Sequence, residues 1–142
     1  MKFDKLIVGG TIVTAFGRYP GAIGIKDGKI ACIAETACGL DADEVINATG
    51  KFVLPGAIDG HLHYQAPITP EAEDVEHATR AAAVGGITTG IAMPVEWATS
   101  VEGYHDLQEY FNGKAYIDYG FHGHADAKID NLDKIEALWT ET

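Results

Sequence analysis

The residues best suited to chemistry are histidines, and two of the six stand two apart in Asp59-Gly60-His61-Leu62-His63. On an extended segment successive side chains point to opposite faces. Asp59, His61 and His63 therefore share one face, while Ile58, Leu62 and Tyr64 take the other. Two imidazoles about 6.5 to 7 Å apart on one face can converge on a single cation at Zn–N distances of about 2.0 to 2.1 Å, provided the strand end twists. Apolar Val53, Leu54 and Ile58 precede the pair and a polar loop follows it, so the pair is expected at the C-terminal end of a strand. That is the end where barrel enzymes keep their chemistry. The competing reading is a chance HxH whose rings hydrogen-bond to neighbouring backbone, and the motif alone is too short to decide.

His122-Gly123-His124 repeats the spacing, but Gly123 and the following Ala125-Asp126 indicate that the strand has already ended there. His77 and His105 lie in helix-like segments among acidic neighbours and read as solvated or ion-paired. No GxSxG, P-loop or GxGxxG is present. Cys32 and Cys38 fit neither a metal knuckle nor a disulfide framework and are expected as small core residues.

The elements that must position the pair come in two textures. Up to Leu54 the chain reads as short strands: Lys5 to Val8, Thr11 to Thr14, Ala22 to Lys26, Lys29 to Ala34, Glu44 to Asn47 and Phe52 to Leu54. Asp27-Gly28 between Ile25 and Ile30 is a two-residue hairpin signal. From Pro55 onward strand-like and helix-like segments alternate. Gly56 to Tyr64, Ile87 to Met93 and Ala115 to His122 are the expected strands. Helices are expected from Thr69-Pro70-Glu71 to Val84, from Ser100 to Phe111, and after Asp130-Asn131-Leu132-Asp133. In the last of these Leu132, Ile135, Leu138 and Trp139 share one face. The chain is thus α/β, with a β-rich segment over 1–54 and three β/α units over 55–142. Three units are too few to close a barrel of eight, so the second part is either a small open sheet or a truncated barrel.

Acidic residues outnumber basic ones, 21 to 10, spread along the chain for a formal charge of −11. Binding to nucleic acid rests on clustered Lys and Arg, so no nucleic-acid partner is expected. The apolar run near the start, Leu6-Ile7-Val8, is too short for a secretory segment or a membrane span. No membrane partner is expected, and the location read from the sequence is cytoplasmic.

Taken together, several blocks resemble the cyclic amidohydrolase family of D-hydantoinases, dihydropyrimidinases and allantoinases. They are Leu6-Ile7-Val8-Gly9-Gly10-Thr11-Ile12-Val13, Asp27-Gly28-Lys29-Ile30, Ala48-Thr49-Gly50-Lys51 and Val53-Leu54-Pro55-Gly56-Ala57-Ile58-Asp59-Gly60-His61-Leu62-His63. Thr79 to Thr89 and Asp118-Tyr119-Gly120-Phe121-His122 continue the match in order.

The resemblance implies a small N-terminal β-sandwich segment followed by the first three β/α units of a (β/α)8 TIM barrel, truncated. It implies two Zn2+ per complete subunit, bridged by hydroxide and by a carboxylated lysine beyond Thr142, with His61 and His63 as the metal ligands present and no further catalytic residue on this chain. Asp59 is then a residue that orients an imidazole. The implied reaction is hydrolysis of the C–N bond of a small cyclic amide such as hydantoin, dihydropyrimidine or allantoin, in a homo-tetramer. Related dihydroorotases carry an arginine two residues after the second ligand and an asparagine after the Met-Pro of the second strand. This chain has Gln65 and Val95 there, which disfavours an anionic ring and makes Gln65 a candidate substrate contact. The resemblance also extends to non-catalytic dihydropyrimidinase-related assembly proteins, against which the retained His61 and His63 argue.

Overall fold

A computed structural model of the chain describes residues 2–63, 74–93, 98–124 and 134–141. They divide into two compact units, Met1–Pro55 and Gly56–Thr142.

The first unit is a five-stranded sheet built around one long strand, β1 (Lys2–Thr14). One edge of β1 pairs antiparallel with β2 (Gly17–Lys26), which pairs in turn with β3 (Lys29–Ala34). Its other edge pairs in parallel with β4 (Asp41–Asn47) and then with β5 (Phe52–Val53). The two strands expected over Lys5–Val8 and Thr11–Thr14 are therefore one. Gly9, at φ 75°, lies within the register shift between Ile7 and Gly10, so the chain absorbs an irregularity without leaving the sheet. Asp27 (φ 50°) and Gly28 (φ 72°) both occupy the left-handed region, as the β2–β3 hairpin requires. Gly24 is fixed by crowding, because a Cβ there would stand 2.7 Å from the Phe3 ring, which is itself buried.

Neither cysteine is in a core. Cys32 is half-buried on the edge strand β3, and Cys38 is exposed in the turn after it, where its N–H donates to Thr36 Oγ1.

The second unit is a parallel sheet in the order β6 (Ala57–Leu62), β7 (Ile87–Ala92), β8 (Asp118–Phe121). The helices α1 (Val75–Val84), α2 (Val101–Phe111) and α3 (Ile135–Glu141) follow those strands in turn. Hydrophobic packing fixes which way β8 faces. Phe111 of α2 meets Phe121 edge to face at 4.9 Å and Tyr119 at 5.2 Å, and Tyr104 meets Phe121 at 5.6 Å. Val75, Leu107 and Phe111 form the buried centre of this cluster.

Helix α1 differs from expectation at its start. Asp74 holds an extended backbone and its carboxylate accepts the His77 N–H at 2.7 Å, so the helix begins at Val75. Thr69, Pro70 and Glu71 lie outside the described residues, as does the Asp130–Asp133 capping signature. The α3 face expected to be shared is also split. Leu138 is buried, but Trp139 is 87% exposed and Ile135 45%, because the described neighbours of α3 cover only its Leu138 side.

Three consequences are measurable. Leu107→Ala removes a fully buried side chain and should cost about 2–5 kcal/mol by chemical denaturation. Trp139→Ala should stay within about 0.5 kcal/mol, since its ring is in solvent. Asp74 has a carboxyl held below its ordinary value, first by the His77 backbone N–H and then by the His77 ring. A lowered folded pKa stabilises above the ordinary carboxylate range and the benefit is lost as pH falls through the lowered value. The stability gap between the parent chain and Asp74→Ala should therefore shrink on acidification below about pH 4, read as denaturation midpoints at neutral and acid pH.

Candidate metal centre

His61 lies on β6 and His63 follows its last residue, Leu62. Both rings are exposed, and their Nε2 atoms face each other at 3.1 Å, with ring centroids 5.0 Å apart and planes at 61°. Which ring donates across that contact depends on the tautomer of each. A tetrahedral ion at about 2.0–2.1 Å from each nitrogen would hold two such atoms about 3.3 Å apart, so the donor pair is spaced for a shared cation. Among the described residues no third His, Cys, Asp or Glu joins them.

The strand does not deliver this pair by simple alternation. Ile58 opposes Thr89 and Asp59 opposes Gly90, yet Leu62 opposes Ala92, so β6 takes three steps where β7 takes two. One extra residue is thus accommodated at Gly60-His61, and such bulges re-aim side chains. The pairing resumes beyond it, with the Met93 N–H donating to the Leu62 carbonyl at 2.8 Å.

Asp59, half-buried on β6, has a different engagement from the one the sequence suggests. Its Oδ1 accepts the backbone N–H of His61 at 3.0 Å, which is an Asx turn across the bulge. Gln65 and Val95 lie outside the described residues.

Of the other histidines, His77 pairs with Asp74 through Nδ1 at 2.8 Å and His105 Nδ1 meets Gln108 Oε1 at 3.1 Å, so both have local structural partners. His122 and His124 do not act as a pair. The His124 N–H donates to the Ala98 carbonyl at 2.7 Å, whereas His122 reaches across the sheet and its Nε2 lies 3.0 Å from the Gly60 carbonyl oxygen. This contact joins residues 62 positions apart, and sequence spacing carries no sign of it. A cavity of about 450 Å³ opens beside His122, bordered by Tyr104, Phe121 and His124 and by Leu138 and Trp139 of α3. Its walls are mainly aromatic and aliphatic, and the His61–His63 pair is not among them.

No family model matches the chain. Over 127 residues it is 45% identical to the D-hydantoinase of Geobacillus stearothermophilus, an alignment covering 83% of this chain and 26% of that protein. It is 38% identical over 129 residues to the allantoinase of Bacillus licheniformis, covering 87% and 28%. The solved L-hydantoinase (dihydropyrimidinase) from Arthrobacter aurescens superposes with a TM-score of 0.88 at 28% identity, covering 98% of this chain and 31% of that one. The chain spans less than a third of the length of these relatives. With relatives of these names aligned along 83–98% of its length, this chain belongs to the cyclic amidohydrolase family of hydantoinases, dihydropyrimidinases and allantoinases.

Proposed function

We propose that this chain is the part of a metal-dependent cyclic amide hydrolase that supplies the first two metal ligands, His61 and His63. The observation that carries the reading is the convergence of the two Nε2 atoms, exposed and 3.1 Å apart, at the C-terminal end of a parallel strand. The names of the relatives support the substrate class, a hydantoin, dihydropyrimidine or allantoin ring. The two units then correspond to a β-sandwich segment over 1–54 and to the first three β/α units of a TIM barrel over 55–142. Their strand order supports this, because β6, β7 and β8 pair in chain order without the reversal that marks a doubly wound sheet.

When bound, zinc supplies a hydroxide near neutral pH and polarises the carbonyl that is attacked. The chain's own residues contribute binding and orientation. His61 and His63 each present a neutral Nε2 to the ion. Asp59 and the bulge set where His61 sits. The acidic balance of −11 matches a neutral ring better than an anionic one.

In the longer protein that this reading requires, His61→Ala and His63→Ala should each lower bound zinc per subunit and bring hydrolysis of hydantoin, dihydrouracil and allantoin to background. Full zinc content and undiminished turnover in both variants would sink the assignment. Zinc content without turnover in the unsubstituted protein would point to the non-catalytic assembly proteins instead. The 142-residue chain by itself should show no hydrolysis, since catalytic zinc takes about three protein ligands and the described residues bring two together. Measurable turnover by the purified chain would contradict that.

A further inference from the structure

The peptide unit that joins Gly60 to His61 lies in the bulge of β6, where the ladder to β7 loses register. Its two polar ends are taken up by side chains. The N–H of His61 donates to Asp59 Oδ1 at 3.0 Å, and the carbonyl of Gly60 lies 3.0 Å from His122 Nε2. A carbonyl only accepts, so His122 must carry its proton on Nε2 and donate.

His122 can reach this carbonyl because of how β8 is seated. Tyr119 and Phe121 face α2, which turns the alternate positions, including His122, toward the other side of the sheet. The His122 backbone is fixed as well, its N–H donating to the Ala92 carbonyl at 2.9 Å. One residue thereby ties the ends of all three strands together: through its backbone to β7, and through its ring to β6.

We propose that Asp59 and His122 form a two-sided clamp on the Gly60–His61 peptide, and that His122 is thereby a positioning residue for the imidazole pair. This rests on the reading of His61 and His63 as metal ligands. A peptide outside the ladder is free to rotate about its flanking bonds, and rotation there would swing the His61 ring away from His63. With the N–H held from one side and the carbonyl from the other, that rotation is blocked and the spacing of the two Nε2 atoms is set before any ion arrives. On this account the acceptor oxygen of Asp59 matters rather than its negative charge, and the Nε2–H of His122 matters rather than its ability to change protonation.

Two readouts on the 142-residue chain separate the clamp from the metal reading. In metal-free, 15N-labelled protein, the His122 ring should show the Nε2–H tautomer, and the His61 amide proton should exchange faster in Asp59→Ala but not in Asp59→Asn. By zinc titration, with the His61→Ala, His63→Ala double variant as baseline, Asp59→Ala and His122→Ala should each weaken binding by about 10- to 100-fold. Asp59→Asn and His122→Gln keep an acceptor and a donor in place and should retain most of the affinity. Unchanged His61 exchange in Asp59→Ala, or unchanged zinc affinity in His122→Ala, overturns the clamp. Equal damage from Asp59→Asn and Asp59→Ala overturns it too, because it would make the charge the active feature. No zinc binding above the baseline in the parent chain overturns the metal reading, while the exchange measurement still reports on the clamp.

Discussion

Where one strand of a parallel pair gains a residue on its neighbour, one peptide is left unprovided by the ladder between them. In this chain the unprovided peptide precedes His61. Its two polar ends are taken up by side chains, those of an aspartate one residue upstream and a histidine two strands away. The convergence of His61 and His63 follows from that local break in regularity as much as from the two-residue spacing of the motif.

The aromatic cluster on the helix side of β8 has a role in this arrangement at a distance. Tyr119 and Phe121 bury against Phe111 and Leu107, which fixes the rotation of β8 about its own axis. The same rotation decides where His122 emerges. Apolar packing on one face of a strand thus positions a polar group on the other, which is how a sheet core and a site at its rim become one mechanical object.

Much of this was legible in the residues. The Asp27-Gly28 hairpin, the alternation of strands and helices after Pro55 and the Ser100 cap of α2 all follow from local chemistry, and the structure has them. The HxH spacing pointed to two rings on one side. What escaped depends on relations between segments far apart in the chain. The register slip of β6 on β7, the capture of the Gly60 carbonyl by His122 and the exposure of Trp139 are set by what lies opposite, and no window of sequence contains that. The start of α1 is set by the Asp74 carboxylate, which binds both the N–H and the ring of His77. Residue type alone favours a core for the cysteines, yet one falls on an edge strand and the other in a turn.

Gly60 is an unusual kind of constrained position. A methyl group built on it meets no atom within 4 Å, and its φ is not in the left-handed region, so neither crowding nor conformation calls for glycine. What the position supplies is a main-chain oxygen, which every amino acid carries. Substitution scanning at residue 60 is therefore blind to its contribution, and only exchanging the amide for an ester, which weakens that oxygen as an acceptor, would expose it. Selection at this point should instead be felt by the residues that hold the oxygen and its companion N–H, one next door and one at the far edge of the sheet.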